Sequence, residues 1–396
     1  MRHPILLVPS VLTLGLAAYG VVEARRHERN LARIPLRIHV NGTRGKSSVT
    51  RLIAGGLRAA GRRTFAKTTG TTARMITPEG REVDVYRVGH PNVIEQARIV
   101  RRAVEAGAEA LVVECMAVSR EMQWFVERRL IRSTVGVITN VRADHVDVLG
   151  PTLDDVATAL GQTLPVRGRA FTAERERAAI LERIARAQGT TLELVDAAAV
   201  APDDLAGFDY VEHAENVAVA LAVCAHLGVD RATALRGMLA ATPDPGVLRR
   251  YTVRSGDKEI EFVNAFAAND PDSTLLVWRR LGLEHPEPGR TRIVLANCRA
   301  DRLQRSGQIA ELVATRLHAD HVVLTGGGTA LVAFQAAGHG LAPGRIRDLG
   351  GMNAERVYER VLDLVERRGI VVGIGNIVGL GADLVLHFAN RAVRHG

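Results

Sequence analysis

Short apolar runs alternate with helical periodicities along the first third of the chain. Leu36-Arg37-Ile38-His39-Val40 alternates as a strand does, and Val49, Leu52, Ile53, Leu57 and Ala60 then recur at helical spacing. Further strands are predicted at Arg63-Thr64-Phe65-Ala66, Ala110-Leu111-Val112-Val113 and Thr134-Val135-Gly136-Val137-Ile138. A helix is predicted over 92–106, where Val93, Ala97, Val100 and Val104 share a face. Such alternation implies a parallel sheet, whose ligands sit beyond the carboxyl ends of the strands. Lys46-Ser47, Lys67-Thr68-Thr69-Gly70-Thr71, Glu114 and Asn140 through His145 each follow a strand.

Thr242-Pro243-Asp244-Pro245-Gly246 gathers turn residues where helix-like sequence ends, and predicts a hinge. Beyond it, Tyr251-Thr252-Val253-Arg254 and Glu259-Ile260-Glu261-Phe262-Val263 flank Ser255-Gly256-Asp257-Lys258 and read as a hairpin. Strands at 292–296, 321–325 and 370–372 alternate with helices near 303–317 and 353–368, which makes a second, smaller α/β unit. The glycine-rich run Gly373-Ile374-Gly375-Asn376-Ile377-Val378-Gly379 does not satisfy G-x-G-x-x-G and reads as a strand-exit turn. The expected organisation is residues 1–35 as anchor and basic linker, 36–245 as a nucleotide-binding domain and 246–396 as a C-terminal domain.

Pro4 to Val22 carries no charge and as a helix would extend about 27 Å, close to the hydrocarbon thickness of a bilayer. Arg25, Arg26, Arg29 and Arg33 follow it, so the sequence predicts a single-pass anchor in the cell membrane with the bulk of the chain in the cytoplasm. A cleaved signal peptide is the rival, but its basic cluster belongs before the apolar run. The 47% hydrophobic content with 4% aromatics and 38 glycines suits α/β layering. The net charge of +9 comes from dispersed arginines without an aromatic stacking platform, which argues against nucleic acid as a partner. Cys115, Cys224 and Cys298 are scattered and read as reduced, buried thiols.

Only three of the 52 basic residues are lysines, and one is Lys46 in Gly42-Thr43-Arg44-Gly45-Lys46-Ser47. A glycine-rich turn between strand and helix lets backbone N–H groups close on phosphate oxygens. Lys46 would reach the terminal phosphates and Ser47 would ligate Mg²⁺. Val40 stands where a full Walker A has its first glycine.

Asn41-Gly42-Thr43-Arg44-Gly45-Lys46-Ser47 resembles the shortened P-loop of the Mur ligase superfamily, which includes the peptidoglycan amino-acid-adding ligases and folylpolyglutamate synthase. The resemblance implies a Mur-like central P-loop ATPase domain, a smaller Rossmann-like C-terminal domain, and ATP with Mg²⁺ as cofactors. Asn41, Gly42, Thr43, Arg44, Gly45, Lys46, Ser47 and Ser48 would cradle the nucleotide. Val112-Val113-Glu114-Cys115-Met116-Ala117-Val118 is similar to the segment whose glutamate ligates Mg²⁺. Thr139-Asn140-Val141-Arg142-Ala143-Asp144-His145-Val146-Asp147 is similar to T-N-x-x-x-D-H-x-D, whose histidine does the same. Ser47, Glu114, His145 and Thr71 are therefore the candidate metal ligands. Asp144 and Asp147 either cap the following helix or orient the imidazole.

Asn216, in His213-Ala214-Glu215-Asn216-Val217-Ala218-Val219-Ala220, matches the asparagine that meets the adenine, or else belongs to a helix N-cap. Asn269-Asp270-Pro271-Asp272-Ser273 is similar to a motif ending N-P-D-S, and leaves open whether Asp270 or Asp272 takes the nucleotide role. Asp301 and Arg302 in Asn297-Cys298-Arg299-Ala300-Asp301-Arg302 could close over the phosphates, and Arg249 either matches an interdomain arginine or forms an exposed salt bridge.

Two departures narrow the function. No UDP-sugar domain precedes the P-loop strand, and no lysine lies between Lys67 and Lys258 to be carbamoylated, which makes Lys67 the candidate support for metal or phosphate. With its anchor, the chain resembles the ligase subunit of poly-γ-glutamate synthase (PgsB/CapB type). That implies ATP-dependent addition of glutamate to poly-γ-glutamate beside small membrane subunits of the PgsC/PgsA (CapC/CapA) type, with homo-oligomerisation open. The alternatives are a folylpolyglutamate-synthase-like ligase and a non-catalytic membrane-tethered P-loop protein; the presence of both Glu114 and His145 argues against the second.

Overall fold

The computed structural model describes residues 4–393 apart from 71–72, 88, 90, 144, 209, 245–246, 267–270 and 302; the side chains of 4–10, 146–147 and 303–304 are also outside the description. The chain divides into two compact units, residues 1–208 with 213–244, and residues 209–212 with 245–396.

The first unit is an eight-stranded sheet of β1 (Leu36–Asn41), β2 (Thr64–Thr68), β3 (Arg74–Ile76), β4 (Glu82–Asp84), β5 (Ala110–Glu114), β6 (Val135–Ile138), β7 (Arg169–Thr172) and β8 (Thr191–Leu194), in the order β4-β3-β2-β5-β1-β6-β7-β8. The pairs from β2 across to β8 are parallel, whereas β3 and β4 extend the sheet antiparallel. This extension is not apparent in the sequence because both strands are three residues long and carry charges. Arg51, 2% exposed, holds the outer strand by pairing with Glu82 and also donates to the Thr242 carbonyl.

Helix α1 (Pro4–Ala32) precedes the sheet, and α2 (Lys46–Ala59) crosses it after β1. Two adjacent glycines inside α2 lower its intrinsic helix propensity by about 1 kcal/mol each, but they admit close neighbours. A Cβ at Gly55 would collide with the Gly237 carbonyl, and one at Gly56 would lie 2.7 Å from Cys224 Sγ. The helices Arg231–Leu239 and Ala214–His226 thus pack directly on α2 and fix the angle at which its N-terminus meets the loop. Helix α3 (Glu95–Glu105) buries Ile99, Val100 and Ala103 with Leu111, Val113, Val126 and Ile131.

The second unit is a six-stranded sheet of β9 (Arg249–Ser255), β10 (Lys258–Asn264), β11 (Arg290–Cys298), β12 (His321–Gly326), β13 (Ile346–Asp348) and β14 (Arg368–Gly375), in the order β13-β12-β11-β14-β10-β9. The β9–β10 pair is the antiparallel hairpin and the other pairings are parallel. One core holds Trp278, Val294, Val313, Val322 and Val332; the other stacks Phe262 on Phe388 at 4.1 Å. The first three residues of the run from Gly373 still belong to β14, and the chain leaves the strand after Gly375, at φ 95° against the Asn297 carbonyl.

The expected transmembrane span gains no support: among the described residues, no helix is long and apolar enough to cross a membrane. The first part of the uncharged run lies outside the described side chains. Its remainder projects Leu12, Leu14, Leu16, Tyr19 and Val22 outward from α1. The end of α1 docks on the sheet unit, where Leu31 is buried and His27 Nε2 lies 2.9 Å from the Leu130 carbonyl.

Candidate active site

The loop between β1 and α2 is shaped by two glycines that no other residue replaces. Gly42 has φ 136° and a Cβ there would strike Thr139 Oγ1; Gly45, at φ 78°, starts α2 and would press a Cβ to 2.5 Å from Asn216 Oδ1. The absent first Walker glycine is accounted for by the strand, since Val40 is fully buried in β1 between Glu114 and Val137. The turn begins only at Gly42, which shortens the loop.

The cradle is narrower than the expected eight residues. Asn140 takes up the first part of it: its carbonyl accepts from Thr43 N at 3.2 Å, and its Oδ1 accepts from Thr43 Oγ1 at 2.7 Å and Arg44 N at 3.0 Å. Thr139 Oγ1 and Asn140 Nδ2 donate in return to the Arg44 carbonyl at 2.6 and 3.1 Å. Thr139 and Asn140 are thus loop braces, a role the sequence reading missed. The first N–H groups of α2, which begins at Lys46, have no acceptor within the helix and suit an anion. Asn41 faces inward, donating to Gln123 Oε1 at 2.8 Å and Thr163 Oγ1 at 3.1 Å, so it anchors the loop to neighbouring helices. Lys46 Nζ folds back on the Gly42 and Thr43 carbonyls at 2.6 and 3.1 Å. Ser48 lies in the first turn of α2, half-buried.

Glu114, at the end of β5, is 2% exposed. Its Oε2 accepts from Ser47 Oγ at 2.8 Å and from Thr69 N at 2.6 Å, while Gln96 Nε2 donates to its main-chain carbonyl at 3.1 Å. Asp244, 7% exposed, lies beside Gly70 with Ser47, as a Cβ on that glycine would meet both. A hydroxyl and a carboxylate at a helix N-terminus are hard oxygen donors of the kind Mg²⁺ takes beside phosphates. Ser47 and Glu114 therefore fit a divalent ion, and the glycine cradle fits a polyphosphate.

His145 is exposed, at φ 42°, and lines the same cleft of about 270 Å³ as Gly42, Thr43, Lys46, Thr69 and Arg87. Among the described residues no three His, Cys, Asp or Glu side chains converge on one point.

Lys67 differs most from expectation. Its side chain is wholly buried, and Nζ lies 2.8 Å from Glu95 Oε1 and 3.5 Å from Met116 Sδ. Burial lowers its pKa, against the charge of Glu95, while Glu95 is held low despite burial by Arg87 and Lys67. Lys67 is thus a structural cation and does not line the cleft.

Asn216, 6% exposed, stands against Gly45, so its helix brings it to the loop from more than a hundred residues away. In the second unit, Arg249 opens β9 opposite Asn264, exposed Asp272 lies in the first turn of Pro271–Arg280, and Asp301 is paired with Arg299 at 2.7 and 2.9 Å. That pairing is the exposed ion pair of a loop. Thr71, Asp144, Asp270 and Arg302 lie outside the described residues, as does the side chain of Asp147. All three cysteines are free and buried.

Residues 40–222 match the Mur ligase middle domain, and residues 250–391 match the poly-gamma-glutamate synthase CapB C-terminal domain. The chain is 39% identical over 386 residues to the capsule biosynthesis protein CapB of Bacillus anthracis, covering 96% of this chain and 82% of that one. It is 38% identical over 370 residues to the PGA synthase CapB of Bacillus subtilis, covering 92% and 93%. The fold is similar to Mycobacterium tuberculosis folylpolyglutamate synthase complexed with ADP, with a TM-score of 0.66 at 19% identity over 98% of this chain and 100% of that one. The Yersinia pestis bifunctional folylpolyglutamate synthase/dihydrofolate synthase complexed with AMPPNP and Mn superposes with a TM-score of 0.67 at 16% identity, covering 92% and 93%. A shortened P-loop in a Mur ligase middle domain, joined to a CapB C-terminal domain, places the chain in the CapB family of poly-γ-glutamate synthases.

Proposed function

We propose that the chain uses Mg²⁺ and ATP to activate a glutamyl carboxylate as an acyl phosphate, which a glutamate amine then attacks to form the amide. As a CapB-family protein with a Mur ligase middle domain, it is an ATP-dependent amide ligase of poly-γ-glutamate capsule synthesis. The observation that carries the mechanistic reading is Ser47 joined to Glu114 at the N-terminus of α2. Phosphoryl transfer needs positioning and charge neutralisation more than proton transfer, and this cluster supplies both. When bound, the metal at Ser47 and Glu114 supplies charge neutralisation for the phosphates. Lys46, released from the Gly42 and Thr43 carbonyls, offers its ammonium to the same phosphates, and Gly45 and Asn216 bound the nucleotide side. His145 faces the cleft as a further donor.

The outward apolar side chains of α1 support attachment of the N-terminal segment to a membrane, with the arginines after Val22 on its cytoplasmic side. Membrane subunits of a synthase complex are the partners this reading expects. Incubating the full-length chain with ATP and each candidate amino acid, then weighing the products, tests the reaction: glutamate-dependent ADP release with γ-linked product supports it, and turnover without glutamate contradicts it.

A further inference from the structure

The loop after β4 places Arg87 on the wall of the cleft. Its Nε and Nη2 donate to Glu95 Oε2 and Oε1 at 2.6 and 3.1 Å, and Lys67 Nζ reaches Glu95 Oε1 from the buried side at 2.8 Å. One carboxylate thus stands between two cations. Glu114 also lies near enough to act on Lys67, and its Oε2 accepts from Ser47 and Thr69. The two cations thus face two carboxylates, and the parts differ in access: Lys67 is 0% exposed, Glu95 9% and Arg87 26%. Of the two cations, only the guanidinium reaches the cleft. The remaining guanidinium N–H donors form an edge suited to a carboxylate. Among the described residues no aspartate or glutamate lines the cleft, which adds Lys46 and His145 to Arg87.

We infer that Arg87 is a specificity-determining residue that binds a carboxylate of the γ-linked glutamate chain in this cleft, with Glu95 and Lys67 as the buried support that fixes its guanidinium. The inference rests on the ligase reading for the identity of the chain but not for the test. A γ-linked chain carries a free α-carboxylate on each residue, and a bidentate arginine distinguishes it from an uncharged peptide. Lys67 is then a positioning residue, which gives a role to a buried lysine that does not line the cleft.

The test is calorimetric binding of synthetic tetra-γ-glutamate, free glutamate and a non-hydrolysable ATP analogue to the full-length chain and to Arg87→Gln. The expected result is tetra-γ-glutamate affinity weakened about 10- to 100-fold with nucleotide affinity unchanged. Arg87→Lys keeps a charge against Glu95 but loses the planar fork, and is expected to weaken the tetrapeptide about fivefold; it serves if the glutamine variant does not fold. Unchanged tetrapeptide affinity, loss confined to nucleotide or free glutamate, or no binding by the unsubstituted chain would each overturn the inference. The ligase reading is judged separately, by glutamate-dependent ADP release of the unsubstituted chain.

Discussion

Ser47 Oγ donates to Glu114 Oε2 across 2.8 Å, joining the first turn of the P-loop helix to the end of a strand 67 residues further along the chain. Both oxygens are placed to serve one metal, so Ser47→Ala and Glu114→Gln should each raise the Mg²⁺ concentration needed for half-maximal turnover. Loss of the carboxylate should also cut kcat about 100- to 1,000-fold, as expected for a group that offsets charge developing in the transition state. A Mg²⁺ titration of glutamate-dependent ADP release checks this; unchanged half-saturation in both variants would remove the metal assignment.

Lys46 donates to two loop carbonyls. Replacing it with alanine removes those bonds at a cost of about 1 kcal/mol, which leaves the sheet and its circular dichroism intact. ADP release should fall below detection because nothing else in the loop carries an ammonium. Retained turnover would show that the loop does not contact the transferred phosphate.

A stability change with pH is expected from His39. Burial alone would lower its pKa, but interactions with Cys115 and Glu127 hold it up to about 9, against an ordinary value of 6.5. The Glu127 carboxylate lies 2.8 Å from Nδ1 and also accepts from Ser133 N and Oγ. A folded-state pKa above the unfolded one stabilises the fold fully below pH 6.5, and that stabilisation is lost as pH rises through about 9. Urea unfolding from about pH 6 to about pH 10 should show a loss on the order of a few kcal/mol, with a flatter profile in Glu127→Gln. Equal slopes in the two proteins would contradict the pairing.

The parallel strands β1, β2, β5 and β6 were legible because each is an apolar or alternating run followed by a polar cluster. The outer strands were not. β8 is largely exposed and four residues long, and β4 depends on the ion pair between Glu82 and Arg51 of α2, which no local pattern announces. The same division holds in the site. Lys46, Ser47 and Glu114 follow from loop chemistry and from their place after strands. Asn140 acts on a loop 96 residues earlier, and the burial of Lys67 was not legible because its partner, Glu95, lies on helix α3 rather than beside it in the sequence. A lysine at the end of an apolar run reads as a phosphate or metal support until the carboxylate beside it is known.

Deletion of residues 1–24 removes the outward apolar residues of α1 and retains Leu31 and Ile34, which belong to the sheet core. The truncated chain should leave the membrane fraction, lose polymer output in cells and keep its nucleotide affinity. Sedimentation in high salt decides the point: a truncated chain that still pellets with membranes would refute attachment through this segment.

The central claim is that the P-loop cluster transfers phosphate to a carboxylate. A glutamyl substrate carrying heavy oxygen in the reacting carboxylate should yield ADP and a phosphate that contains the heavy atom, since the acyl phosphate gives up that oxygen when the amine attacks. Unlabelled pyrophosphate, with AMP as the nucleotide product and the heavy oxygen in it, would mean adenylation and would contradict the account.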